Sequence, residues 1–262
     1  MKSLPDNIKT LPELSSQSIL LSYRGSIAHN LYQPSNEPNS IDDIDLMGIC
    51  VPEVSYYFGL DKFAPRDTKE MFIDEWDIVC YELRKFVYLL MKGNPNVISM
   101  LYLKPEHYLV KHPAAELLIE NRALFNSHEI YHSFIGYAKA QLYKTEHMVF
   151  KGYMGEKRKK LVEKFGYDTK NAGHLIRLMM MCNEWLVEKN FEVYRDFDRQ
   201  FLLNIKNGIY SLDQIKEMAA NLFTKGEALF KAQQKTIPET VDTKAVNELL
   251  LEMYKKIDWV KL

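Results

Sequence analysis

Residues 43–51 read DIDLMGICV, and polar and apolar side chains alternate through the first half of the stretch. Alternation at a period of two marks a strand with one face covered. On such a strand Asp43 and Asp45 share a face, with Cα atoms roughly 6.5–7 Å apart, while Ile44 and Leu46 turn the other way into a core. Working outward, SILLSY (18–23) is a second strand candidate, ended by Gly25-Ser26 and followed by IAHNL, a candidate short helix. QPSNEPNS (33–40) has the composition of a loop. WDIVCY (76–81) is a third strand candidate, rich in β-favouring residues.

After Glu82 the period changes. Leu83, Phe86, Val87 and Leu90 fall on one helical face. Gly93 and then Asn94-Pro95 stop that helix and start another. Beyond about residue 110 nearly everything has helical spacing. Ser127 is a plausible N-cap for a helix to about Met148, and Asp168 for one to about Lys189. Ser211 with Gln214 makes a capping box. Asp242 or Thr243 opens a last helix with Val246, Leu249, Leu250 and Met253 on one face. FEVYR (191–195) is a stray strand candidate. The chain is therefore expected to be α+β, mixed at its N-terminal end and helical at its C-terminal end, with a boundary near 105–125.

Composition narrows the classes. Of 262 residues 47% are hydrophobic, enough for a sizeable core, and a net charge of −1 gives no bulk attraction to nucleic acid or membrane. Cys50, Cys80 and Cys182 are widely spaced in apolar stretches, which argues against a disulfide framework or zinc site. Reduced, buried thiols suit a cytoplasmic compartment. MKSLPDNIKTLPEL has no apolar signal core, and no apolar run reaches the ~20 residues a bilayer needs. HExxH, GxSxG and GxGxxG are absent, and the Gly152–Lys157 segment lacks P-loop spacing.

A lone DxD is more often a solvated acidic face than a metal site. Its weight here comes from the order strand, Gly-Ser turn, short helix, loop, acid-bearing strand. Two carboxylates on one face can hold two divalent ions roughly 3.5–4 Å apart. Gly25 permits close backbone approach to a ligand, and Ser26 with nearby N–H groups suits an anion.

Gly25-Ser26 followed by Asp43-Ile44-Asp45 resembles the signature of the DNA polymerase beta-like nucleotidyltransferases. The resemblance implies that Gly25 and Ser26 hold a nucleoside triphosphate and that Asp43 and Asp45 bind Mg2+ or Mn2+. It also implies a third metal-binding carboxylate on a neighbouring strand. Asp77 takes that place, with Asp74, Glu75 and Glu82 as nearby alternatives. The Ser26-to-Asp43 interval is longer than the usual family gap, and the loop at 33–40 can absorb the excess. Longer segments narrow the resemblance: GSIAHNLYQPS…DDIDLMGI, YELRKFVYLLMKGNPNVISMLYL, GYDTKNAGHLIRL and IPETVDTKAVNELLLEMY. Together they are similar to a branch of predicted nucleotidyltransferases of bacteria and large phages associated with RNA repair. That implies a mixed catalytic sheet with flanking helices over 1–110 and a helical domain over 111–262. It implies transfer of an NMP from an NTP to an acceptor hydroxyl, with an RNA 3′ end, such as that of tRNA, as the leading acceptor. The alternatives are a protein-modifying AMP transferase and a non-catalytic nucleotide-binding module.

In the helical half Lys170, His174 and Arg177 stand at i, i+4 and i+7 and share one face. Such a face suits the phosphates of a nucleotide or an RNA backbone, and the plain alternative is a solvated basic surface. Leu175, Leu178, Cys182, Trp185 and Leu186 form the adjoining apolar stripe. EKRKK (156–160), with Lys151 nearby, is either a docking patch or ordinary surface. Lys85 points either into the cleft or to water. Arg122 and His128 have a spacing seen in some helical ribonucleases, one that chance also supplies.

Overall fold

The computed structural model describes residues 4–34, 43–147 and 156–259. Five strands, β1 (Ser18–Tyr23), β2 (Ile44–Cys50), β3 (Thr68–Ile73), β4 (Trp76–Glu82) and β5 (Tyr108–Lys111), form one sheet in the order β3-β4-β2-β1-β5. The β2–β4 pair is parallel and the other three pairs are antiparallel. The helices of the N-terminal half are α1 (Asp6–Lys9), α2 (Gly25–Ala28), α3 (Val54–Phe58), α4 (Leu83–Met91) and α5 (Pro95–Ser99). Next come α6 (Pro113–Glu120), α7 (His128–His147), α8 (Glu156–Phe165) and α9 (Thr169–Glu188). The last three are α10 (Arg199–Lys206), α11 (Leu212–Gln233) and α12 (Thr243–Lys255).

The two faces of the sheet bury different partners. One packs Leu21, Leu46, Trp76 and Ile78 against Ile8 and Leu14 of the N-terminal segment. The other carries Leu20, Met47 and Ile49 into a core shared with Phe86, Leu90, Leu118, Phe134, Trp185 and Leu249. Burying such a side chain fully contributes about 1.5–3 kcal/mol. Because β1 is buried on both faces, SILLSY reads as a continuous apolar run instead of an alternating one. A separate cluster inside the helical half joins Leu175, Ile176 and Met179 of α9 to Leu202 and Ile205 of α10 and Ile215 of α11.

Most of the expected stops and starts have physical partners; Ser127, the expected cap of α7, does not act as one, its buried Oγ having no hydrogen-bond partner among the described residues. Glu82 is buried at the start of α4, and its carboxylate accepts from the Lys85 N–H at 3.0 Å. The Asn94 side chain accepts from the N–H groups of Asn96 and Val97, opening α5. Asp168 caps α9, Asp242 caps α12, and Ser211 with Gln214 forms the capping box of α11. Met148, the expected end of the helix from 128, lies outside the described residues.

Three features depart from the sequence reading. β3 and β5, both sheet edges, were not expected: TKEMFI places Met71, Phe72 and Ile73 in a row, which masks its alternation, and β5 has only four residues. FEVYR is not a strand, because its polar backbone groups serve elsewhere: the Val193 carbonyl meets His29, and the Arg195 N–H donates to the His29 carbonyl at 3.3 Å. No helix among the described residues is long and apolar enough to cross a membrane.

Candidate active site

The parallel register of β2 and β4 sets Asp45 directly beside Asp77, and both side chains leave the same face of the sheet. Arg24, the residue after β1, reaches across both. Its Nη2 lies 3.1 Å from Asp77 Oδ2 and 3.7 Å from Asp45 Oδ1. Its own N–H donates to the Asp45 carbonyl at 2.9 Å, stitching the turn to β2. Gly25 follows with φ +60°, and a Cβ there would sit 2.1 Å from Asp45 Oδ2. No residue with a side chain fits without moving the carboxylate, so both the positive φ and the space favour glycine at this position.

Burial is the main force on Asp45 and pushes its carboxyl up to about 6, against the pull of Arg24 and Lys170. Asp77 and Asp43 push in the same direction as burial. Asp43 itself is exposed and stands outside the cavity lining, two residues before Asp45. Among the alternatives to Asp77, Glu82 is used structurally, accepting from the Tyr57 hydroxyl at 2.9 Å and from the α4 backbone. Asp74 and Glu75 lie in the turn between β3 and β4, before the strand begins.

A cavity of about 370 Å³ opens in front of the Asp45–Asp77 pair. Gly25 and Ser26 form one side, and the Ser26 Oγ is buried there without a hydrogen-bond partner among the described residues. Lys170, His174 and Arg177 of α9 line the cavity too, together with Lys206 of α10. The three expected residues of α9 thus meet the Gly-Ser turn across one space, although nearly 150 positions separate them in sequence. Arg177 is buried, not solvated. Its Nη1 lies 2.6 Å from His29 Nε2 and 3.3 Å from Met181 Sδ. Burial, with help from the nearby Arg195, lowers its guanidinium to about 9.

Several lining residues carried no sequence signal. Arg24 directly precedes the Gly-Ser pair, and that adjacency was its one clue. Asn96, Asn171 and Lys206 belong to different helices, and nothing in their spacing joins them. Other candidates lie elsewhere. Lys85 Nζ sits 5.9 Å from the Tyr88 ring and is not part of the lining. Arg122 donates to the Leu101 carbonyl at 3.2 Å, and His128 Nε2 lies 2.9 Å from the Gln234 carbonyl oxygen, so both have structural partners. Lys159 and Lys160 are exposed on α8, and Lys151 lies outside the described residues.

A family model for RlaP, the RNA repair pathway DNA polymerase beta family, matches residues 22–252. The chain belongs to that family. The match runs from β1 into α12, so the RlaP family spans both the carboxylate-bearing sheet and the basic side chains of α9. Membership in the RlaP family makes the chain a nucleotidyltransferase of the polymerase beta type, tied to RNA repair. No curated protein matches the sequence.

The donor set fits a hard divalent cation in chemistry. Asp45 and Asp77 offer carboxylate oxygens on one face, and magnesium needs few protein oxygens when substrate phosphates and water complete its shell. Among the described residues no group of three or more acids, histidines or cysteines is gathered tightly enough to hold a metal by protein ligands alone. Any metal held by Asp45 and Asp77 therefore takes further ligands from its substrate or from water.

Proposed function

We propose that the protein transfers a nucleoside monophosphate from an NTP to an acceptor hydroxyl, and that the acceptor is an RNA 3′ end. The observation that carries this reading is the polarity of the cavity. Two acids, Asp45 and Asp77, and the basic side chains of Lys170, Arg177 and Lys206 line one space together with the Gly25-Ser26 turn. A triphosphate with its divalent ions is a ligand whose charges match both sets.

In this reading the basic side chains and the Ser26 hydroxyl bind the triphosphate. Gly25 lets the backbone lie against it. Asp45 and Asp77 would hold Mg2+ or Mn2+, which would supply charge neutralisation at the α-phosphate and lower the pKa of the attacking hydroxyl, and Asp43, two residues before Asp45, would add its negative charge nearby. The acceptor hydroxyl releases its proton to water as its oxygen bonds to the α-phosphorus, the bond to the β-phosphate oxygen breaks, and pyrophosphate leaves. Positioning and electrostatics, not covalent catalysis by the protein, carry the rate. The family's link to RNA repair supports RNA as the acceptor.

The test is incubation with each NTP radiolabelled at the α-phosphate, with Mg2+ or Mn2+, small RNAs and cell proteins. Label is expected on RNA with the wild type and on nothing with Asp45→Asn/Asp77→Asn. Label on protein instead would move the acceptor to a side-chain hydroxyl. Tight NTP binding with no transfer to any acceptor would make the protein a nucleotide-binding module.

A further inference from the structure

His29 is the last residue of the turn that begins at Gly25, and it is buried. Both ring nitrogens are engaged: Nδ1 lies 2.9 Å from the Val193 carbonyl oxygen, and Nε2 lies 2.6 Å from Arg177 Nη1. A carbonyl only accepts, so Nδ1 must donate. A guanidinium only donates, so Nε2 must accept. The two contacts together require the neutral ring with its proton on Nδ1. The backbone is equally constrained, since the His29 N–H donates to the Gly25 carbonyl at 3.2 Å and its carbonyl accepts from the Arg195 N–H at 3.3 Å.

Arg177 is unusual among the buried cations. Arg195 is gripped by Glu184 and Asp198. The hydrogen bonds of the Arg177 guanidinium go to an imidazole nitrogen and a thioether sulfur, and no carboxylate pairs with it among the described residues. A neutral acceptor holds the guanidinium in place without cancelling its charge. A carboxylate in the same position would hold it equally well and remove the charge that a phosphate needs.

We propose that His29 is a positioning residue, which as the Nδ1-protonated tautomer aims Arg177 into the cavity to receive the phosphates of the bound nucleotide. This rests on the NTP-binding reading above. His29 touches no substrate in this account. It acts through Arg177, and it ties the Gly-Ser turn to α9.

Two substitutions separate its two contacts. In His29→Gln the side-chain oxygen can take the place of Nε2 and still accept from Arg177. In His29→Asn the amide can take the place of Nδ1 and still donate to Val193, but Arg177 loses its acceptor. Equilibrium titration with the four NTPs in Mg2+ and steady-state transfer are the readouts. For His29→Asn the expected result is roughly tenfold weaker NTP binding and a matching rise in KM, with kcat falling by less than about threefold. His29→Gln should stay within about threefold of wild type, and His29→Asn should add nothing in an Arg177→Met background. Equal losses for the two variants, or a full His29→Asn effect without Arg177, would overturn the role. In the unaltered protein, nitrogen-15 NMR should show the Nδ1–H tautomer of His29. An Nε2–H signature would overturn the proposal whether or not nucleotide binds. Wild type that binds no NTP while showing the expected tautomer would strike down the function reading, and the purpose assigned to the contact with it.

Discussion

Asp45→Asn should make the divalent-free protein more stable at neutral pH while disabling its site. The Asp45 carboxyl rises from 3.8 to about 6, chiefly through burial. The native state therefore holds the proton more tightly than the unfolded chain. The associated stability is fully present below pH 3.8 and is lost as pH climbs through 6. At about 1.36 kcal/mol per unit, the ionised carboxylate costs ~3 kcal/mol above that window. The side chain retains 24% exposure, so water screens part of this, and a gain of about 1–3 kcal/mol is expected from the amide. For a chain of this size that is a rise of roughly 3–10 °C in Tm. Arg24 keeps its 3.1 Å contact with Asp77, so the substitution strands no cation. Urea titrations of both proteins at pH 4, 6 and 8 in EDTA measure the difference, which should be small at pH 4 and largest at pH 8. Excess Mg2+ should then stabilise the wild type more than the variant. A variant less stable than wild type at pH 8, or a gap independent of pH, would refute the reasoning.

Asp77→Asn, which leaves the sheet register unchanged, should cut nucleotidyl transfer by roughly 100-fold or more with a melting point near that of wild type; transfer at the wild-type rate would remove Asp77 from the site. Gly25→Ala forces a Cβ to within 2.1 Å of Asp45 Oδ2 at a positive φ, so it should cost about 2 kcal/mol or more and also weaken NTP binding. An unperturbed melting curve for that variant would show that the turn relaxes freely. Arg195→Met leaves the buried Asp198 carboxylate without its partner, and denaturant unfolding should report a loss of about 3–5 kcal/mol. Asp168→Ala removes the cap whose side chain accepts from the Asn171 N–H at 3.0 Å. It should cost about 1 kcal/mol, largely restored by Asp168→Ser.

The sequence made the local rules visible and hid the long-range ones. Capping residues such as Asp168 and Ser211 act within a few positions, so their partners can be read directly. The helical face of Lys170, His174 and Arg177 follows from the 3.6-residue period alone. The pairing of Asp45 with Asp77 depends on strand register, which no short-range pattern encodes, and four acids between 74 and 82 competed for that place. β3 has no clear alternation in the sequence because an edge strand exposes Phe72 on one face while Met71 and Ile73 point into the core. Arg24, His29 and Lys206 carry no motif of their own. They become site residues only when the fold brings the Gly-Ser turn against α9 and α10.

The six residues from Arg24 to His29 are fixed at both ends, the first by its N–H bond to the Asp45 carbonyl on β2 and the last by a guanidinium on α9. A segment anchored in this way has no slack. Insertion or deletion of a single residue would rotate one anchor away from its partner by a large fraction of a helical turn. Over evolutionary time the length of this segment should therefore be among the most invariant features of the lineage. Drift in the composition of distant helices would be tolerated long before a change of register here, and homologues that have lost the spacing should be those that have also lost the acids.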